Sequence, residues 1–135
     1  MKQLFKEKTY SYPQFIEWME HLVKEGKTSG EKQTLSLVQF TLLNLHRMKR
    51  IDKTIQLTNE LLSVTKKSEK QTWVLITEAW CGDSAQNLPV IGKVSEQSEG
   101  KIELKIILRD ENPEWIEKYH TNGSHSIPKL IAFDE

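Results

Sequence analysis

The sequence predicts an α/β protein that opens with a helical segment. Its 135 residues are about the length of one domain. Residues 31–65 contain neither glycine nor proline and carry apolar side chains at helical spacing. From residue 73 onward, short apolar runs alternate with helical spacing, in the order strand, helix, strand, helix, strand. Such alternation is typical of α/β layers that contain a parallel pair of strands.

The first predicted helix begins at Ser11, which has Gln14 three residues later in the form of a capping box. Gly26 supplies its end. A second helix follows, and its apolar stripe consists of Leu35, Val38, Leu42, Leu45 and Met48. Leucine and valine stripes at helical spacing are more often core than partner groove, so we expect this stripe to be buried.

A break is predicted at residues 50–52, with Asp52 as the cap of a third helix. Residues 66–70 are charged and lack apolar side chains, which indicates a linker. The chain then divides into a helical N-terminal extension, residues 1–70, and an α/β core, residues 71–135. We expect the extension to pack on the core.

The second half begins with a short apolar run at residues 73–76, which predicts a strand buried on both faces. The elements predicted after it are a helix at 84–97, a strand at 102–108, a helix opened by Asn112 and Pro113, and a strand at 130–133. Pro89 lies inside the first of these helices and is expected to kink it.

Charge, hydropathy and cysteine content exclude several classes. Nineteen basic residues balance nineteen acidic ones, which argues against nucleic acid as a partner, because non-specific binding needs a basic face. No apolar run approaches the roughly 18–20 residues that span a bilayer, so no membrane partner is expected. The single cysteine, Cys81, excludes an internal disulfide and a cysteine zinc cage. We expect no metal, no cofactor and a cytoplasmic location, where thiols stay reduced.

Cys81 is the candidate reactive group. It lies between the first strand of the core and the following helix, where free backbone N–H groups and the helix dipole favour the thiolate. Asp83 opposes this effect, and no lysine or arginine lies within several residues. Position alone leaves two interpretations open, a reactive thiol and a small buried apolar residue.

The segment Trp80-Cys81-Gly82-Asp83-Ser84 resembles the Trp-Cys-Gly-x-Cys active-site segment of the thioredoxin superfamily. The resemblance extends to the strand before it, to the proline inside the next helix, and to Ile127 and Pro128, where thioredoxins have a cis-proline loop. Segments 77–83, 108–113 and 126–129 are similar to a bacterial thioredoxin-like family, whose helical N-terminal extension resembles residues 43–52. The resemblance covers most of residues 35–135 and implies a thioredoxin-like fold.

The sequence departs from the thioredoxin pattern in three ways. Ser84 stands where the pattern has a second cysteine, the resolving thiol. Leu75 stands where thioredoxins carry a buried acid. The chain stops just after the third strand, whereas the fold would add an edge strand and a last helix, so we expect truncation or natural shortening.

The resemblance implies a thiol–disulfide oxidoreductase with one nucleophilic cysteine. Cys81 would form a mixed disulfide, Ser84 and backbone N–H groups would stabilise its thiolate, and an external thiol would complete turnover. Protein or low-molecular-weight thiols and disulfides would be the partners. The alternative is a non-catalytic module of the same fold that binds a protein or peptide in its cleft.

The candidate substrate-binding residues are Trp80, Gly82, Asp83, Ile127 and Pro128. With a cis bond before Pro128, the backbone of Ile127 would be exposed to pair with an extended peptide, whereas a trans proline would merely start a strand. His125 is a candidate base, with a solvated loop histidine as the alternative. Glu78 is placed to relay protons or to bond the backbone.

Overall fold

The computed structural model describes residues 8–134, so the first seven residues of the predicted extension and the last residue of the predicted core lie outside the described part. Within it, five helices accompany a three-stranded sheet, which confirms the α/β class. The elements are α1 (Tyr12–Lys24), α2 (Leu35–Thr54), α3 (Asn59–Lys67), β1 (Gln71–Thr77), α4 (Gly82–Gln97), β2 (Ile102–Leu108), α5 (Pro113–Lys118) and β3 (Lys129–Asp134).

The sheet has the order β2-β1-β3, with β1 in the centre. Strands β1 and β2 are parallel, which confirms the predicted parallel pair, and β3 runs antiparallel to β1. Val74, Leu75 and Ile76 in the central strand have no exposed surface. The prediction of a first strand buried on both faces is therefore confirmed.

Each face of the sheet carries its own apolar cluster. One cluster joins the helical half of the chain, which comprises α1 to α3 and their loops, to the sheet. It includes Phe15, Met19, Leu45, Met48, Leu75, Leu88 and Ile106. The other lies under α5 and includes Val74, Ile76, Ile107, Trp115 and Ile116. The helices α1, α2 and α4 thus share a face of the sheet, and the loop between β1 and α4 lies next to α2.

Helix α1 is attached to the core by close packing. Just before it, Tyr10 forms an antiparallel bridge with Ile106 of β2. The ring of Tyr12 lies against Gly92 of α4, where an added β-carbon would come within 2.6 Å of the ring. The Tyr12 hydroxyl donates to Asp52 at 2.9 Å. Only a glycine at position 92 allows this approach of the two helices.

The capping box at the start of α1 is confirmed. The Ser11 hydroxyl accepts from the N–H of Gln14, and the Gln14 side chain accepts from the N–H of Ser11. The predicted break at residues 50–52 is wrong, because α2 continues to Thr54. Asp52 lies inside α2, and its carboxylate accepts the hydrogen bond from the Tyr12 hydroxyl. Neither isoleucine nor aspartate in this segment costs enough helix propensity to end a helix that packs on the core.

Helix α3 is capped by Thr58, whose hydroxyl accepts from the N–H of Leu61. It extends to Lys67, so the predicted linker at residues 66–70 is too long, and only residues 68–70 separate α3 from β1. The two lysines at its end favour the helix, since cations stabilise the negative end of the helix dipole.

The predicted apolar stripe of α2 is buried only toward its C-terminal end. Leu45 and Met48 are buried, whereas Leu35 and Leu42 are 72% and 42% exposed. The expectation of a continuous buried stripe is therefore wrong. At the middle of the helix a polar residue, Asn44, is fully enclosed instead, and its partner lies in the loop before Cys81.

Candidate active site

Cys81 is the N-cap residue of α4, the 16-residue helix that begins at Gly82. Its backbone is extended and its side chain makes no capping bond, so the first N–H groups of α4 lie beside the sulfur without a side-chain acceptor from Cys81. The residue is 8% exposed. The Sγ atom donates to the backbone carbonyl of Ile127 at 3.6 Å.

That carbonyl belongs to the loop that leads into β3. The Ile127–Pro128 peptide bond is cis, and β3 begins at the next residue, where Lys129 pairs with Ile76 of β1. Antiparallel pairing places the start of β3 beside the end of β1, which is where the loop of Cys81 begins. The fold thus joins two segments that are 46 residues apart in the chain.

Ser84 lies in the first turn of α4 and is buried. Its hydroxyl forms a hydrogen bond with the hydroxyl of Thr77, the last residue of β1. The bond connects the end of β1 to the start of α4 on either side of Cys81. The described hydrogen bond of Ser84 is therefore with Thr77, and its role toward the sulfur stays a prediction.

Glu78 is almost completely buried, with 1% of its surface exposed. Its Oε1 atom accepts from the Ser29 hydroxyl at 2.6 Å, and Oε2 accepts from the N–H of Asp110 at 3.0 Å. Burial raises the pKa of this carboxyl above its ordinary value, and the two hydrogen bonds oppose that rise. Glu78 thereby links the loop before Cys81 to the helical half and to the loop after β2.

Both backbone groups of Ala79 are bound by side chains of the helical half. Its N–H donates to Ser29 Oγ at 2.8 Å, and its carbonyl accepts from Asn44 Nδ2 at 3.2 Å. Asn44 Oδ1 has no hydrogen-bond partner among residues 8–134. The sequence interpretation missed Ser29 and Asn44. An asparagine amid leucines at helical spacing is the signal that marks Asn44.

An arginine lies next to each neighbour of Cys81. The guanidinium of Arg109 lies over the Trp80 ring, 5.3 Å from its centroid. On the other side, the β-carbon position of Gly82 is 3.9 Å from Nη1 of Arg47 in α2. The sequence around Cys81 holds no cation, but the fold supplies two from distant segments.

Neither His125 nor Asp83, the fourth residue of the motif, forms a hydrogen bond with the Cys81 sulfur. His125 Nε2 bonds with Glu117 at 2.7 Å, and its backbone carbonyl accepts from Arg109. Asp83 is exposed in the first turn of α4. The hypothesis of His125 as a base receives no contact to support it.

A cleft of about 710 Å³ opens beside Trp80, between the helical half and the core. Its walls carry charges of both signs, with Lys32 and Arg109 beside Glu31, Asp110 and Glu117, and they also include Gly30, Trp80 and His125. Gly30 has a φ of +87° and lies so close to Asp110 that a β-carbon would come within 3.0 Å of its carboxylate. The residue of the motif that lines this cleft is Trp80, the neighbour of Cys81.

This geometry agrees with the comparison of the chain with known families. A family described as Thioredoxin matches residues 30–135. The chain belongs to this thioredoxin family. Thioredoxin 1 of a Nostoc species and thioredoxin of a Synechocystis species are each 39% identical over 54 residues, which is 40% of this chain and 48% of each relative. The chain spans about half the length of these curated relatives, and no solved structure matches it significantly.

Thioredoxin-family membership confirms the predicted thioredoxin-like fold. The family match begins at residue 30, so it includes α2 and α3 as well as the sheet. Relative to the thioredoxin pattern, the chain lacks the acid at Leu75, which is fully buried in β1. Among residues 8–134 the buried carboxylate is Glu78.

None of the helices in residues 8–134 is both long and apolar enough to cross a bilayer. In the same part of the chain, no three His, Cys, Asp or Glu side chains are grouped to hold a metal ion.

Proposed function

We propose that the protein is a thiol–disulfide oxidoreductase that acts through Cys81 alone, by a monothiol mechanism. The observation that carries this proposal is the position of the Cys81 sulfur. It lies at the N-terminus of α4 and 3.6 Å from the carbonyl of Ile127, before a cis proline. A helix N-terminus favours the thiolate, and the thiolate is the form that attacks disulfides.

In the first step the Cys81 thiolate attacks one sulfur of a substrate disulfide. A new S–S bond forms between Cys81 and that sulfur, the substrate S–S bond breaks, and the second sulfur leaves as a thiolate. The backbone N–H groups at the start of α4 stabilise the charge on Cys81 before attack. Ser84 has no thiol with which to resolve the mixed disulfide. An external thiol therefore attacks the bound substrate sulfur, forms a disulfide with it and releases the Cys81 thiolate.

The residues proposed to bind substrate are Trp80, Gly82, Asp83, Ile127 and Pro128. An extended peptide or a small disulfide would lie along the Ile127 backbone, whose carbonyl already accepts from the sulfur. Ser84 is proposed to stabilise the thiolate when its hydroxyl turns from Thr77 toward Cys81. The reducing cytoplasm is the proposed compartment, because a lone reactive thiol persists there.

A second candidate function is a non-catalytic module that binds a protein or peptide in the same cleft. It is favoured by the bond between Ser84 and Thr77, which turns the serine away from a role at the sulfur. It is also favoured by Leu75, which leaves the usual acid position apolar.

The two candidates separate in a turnover assay. Wild-type protein is incubated with a glutathionylated peptide and reduced glutathione, and release of the free peptide thiol is followed together with the intact mass of the protein. The monothiol mechanism predicts a transient adduct on Cys81 and catalytic release. Cys81→Ser gives neither, and Ser84→Cys adds reduction of protein disulfides. Binding without adduct or turnover would favour the second candidate.

A further inference from the structure

The charges around Cys81 indicate which disulfides it exchanges with. Two guanidinium groups lie beside the residues that flank the sulfur, Arg109 at Trp80 and Arg47 at Gly82. They come from different elements, the loop after β2 and helix α2. A positive charge on each side of a reactive sulfur attracts substrates that carry negative charge.

The two arginines differ in how far their charge is compensated. The Nε atom of Arg109 lies 3.1 Å from Asp110, and Nη1 donates to the carbonyl of His125. Arg47 forms no ion pair with any of residues 8–134. The anionic side chain closest in sequence to the sulfur, Asp83, is exposed in the first turn of α4. Within residues 8–134, the arginine at the site that has no ion pair is therefore Arg47.

We propose that Cys81 acts on low-molecular-weight disulfides that carry carboxylates, and that Arg47 and Arg109 are the residues that determine this specificity. The inference rests on the proposed function and names its substrate class. One substrate carboxylate would pair with Arg47 beside Gly82. The other half of the disulfide would lie in the cleft along Trp80 and Arg109.

The dimensions of the cleft favour a small disulfide over a protein. Its volume of about 710 Å³ lies within the roughly 300–1,000 Å³ of typical small-molecule sites. It is bordered by residues 29–32 of the helical half, and its charged lining mixes Lys32 and Arg109 with Glu31, Asp110 and Glu117. The preference for negative charge therefore rests on Arg47, which lies beside Gly82. A guanidinium also presents paired N–H donors that match the two oxygens of a carboxylate.

The experiment compares three small aliphatic disulfides of different charge: dithiodipropionate (anionic), hydroxyethyl disulfide (neutral) and cystamine (cationic). The rate of adduct formation on Cys81 is measured by intact mass for each. The readout is the ratio of the anionic to the neutral rate, because it cancels changes in the nucleophile itself. We expect the ratio to fall about fivefold in Arg47→Gln, and less in Arg109→Gln, where Asp110 already compensates the charge.

Lys49→Gln is the matched control. It removes one positive charge from the same helix, but the Lys49 ammonium is paired with Glu20 of α1 at 3.3 Å. Its ratio should stay at the wild-type value. Arg47→Lys keeps the charge but loses the paired donors, so its ratio should lie between those of wild type and Arg47→Gln. If Arg47→Gln fails to fold, the inference is tested instead by measuring the salt dependence of the rate ratio in the wild-type protein. The ratio should fall as ionic strength rises from about 0.02 M to 1 M, because exposed charges are then screened.

The outcomes separate the inference from the proposed function. If the neutral disulfide forms an adduct but the ratio is the same in wild type and Arg47→Gln, the substrate class is wrong and the monothiol function stands. A ratio that falls equally in Lys49→Gln, or that does not fall with salt, also overturns the inference. If none of the three disulfides forms an adduct, the proposed function and the inference both fail.

Discussion

The helical half is attached to the core in two places, and the two attachments differ in chemistry. At α1 the contact is apolar and tight, with Phe15 and Met19 each 1% exposed. Next to Cys81 the contact is polar, through the bonds of Ser29 and Asn44 to the loop at Ala79. The first attachment supplies burial, and the second fixes the backbone two residues before the sulfur.

The energies of these two kinds of contact differ in size. Full burial of a phenylalanine side chain stabilises a fold by about 1.5–3 kcal/mol, whereas one hydrogen bond contributes a net of about 0.5–1.5 kcal/mol. Stability and thiol reactivity should therefore respond to different substitutions. The following predictions test that separation.

The largest expected effect is that of Phe15→Ala in the apolar attachment. Removing this buried ring from the cluster with Tyr10 and Trp18 should lower the free energy of unfolding by about 3–5 kcal/mol. Urea unfolding measures the loss. Alkylation of Cys81 in the folded variant should stay within about twofold of wild type. A strong change in that rate, in protein shown to be folded, would contradict the separation.

An intermediate effect is expected for Ser29→Ala in the polar attachment. The serine accepts from Ala79 and donates to Glu78, so its loss leaves two buried groups without a partner and should cost about 1–3 kcal/mol. Because the loop before the sulfur is then released, alkylation of Cys81 should slow severalfold.

Ser98→Ala is the control for that change. Ser98 is also fully buried, donates to the Ser95 carbonyl at 2.7 Å and accepts from the N–H of Ile102 at 3.0 Å. It lies at the far end of α4. A similar stability loss with unchanged alkylation is expected. Equal slowing in both variants would show that reactivity follows stability rather than the anchoring of the loop.

The smallest effect concerns the pH dependence contributed by Glu78. Its pKa is raised in the folded protein, mainly by burial. The folded state therefore holds this proton more firmly than the unfolded state, and stability is lost as pH rises from about 4.5, the ordinary value of a glutamate, through the folded value. Glu78→Gln should remove this decline while adding a cost that does not vary with pH. Urea titrations of both proteins between pH 4 and pH 8 measure the difference, and parallel curves would contradict the prediction.

Much of the fold could be predicted from the spacing of apolar residues and from the residues that cap helices or form turns. The alternating residues of β2 and the capping box at Ser11 each carry a local signal, and both predictions are confirmed. The continuity of α2 across Asp52 was not predicted, because polar residues at a helix surface look like a break until a partner such as Tyr12 is known.

The part of the site that is contiguous in sequence could be predicted, whereas the residues that the fold brings to it from distant segments could not. Cys81 is marked by its place between strand and helix. The residues that surround it, Ser29, Asn44, Arg47 and Arg109, lie 28 to 52 positions away in the chain. A bond from a side chain to a distant backbone group, or a guanidinium over a ring, leaves no periodic trace in the sequence.

The most direct test of the account is the reactivity of Cys81 with iodoacetamide, a neutral reagent that the nearby arginines do not attract. The rate is measured at pH 6.5 for the native protein and for the same chain unfolded in urea. Because Cys81 is 8% exposed, burial by itself would slow the native reaction. If the start of α4 activates the thiolate, the native rate should exceed the unfolded rate by about tenfold. A native rate equal to or below that of the unfolded chain would contradict the claim that the fold makes Cys81 a nucleophile.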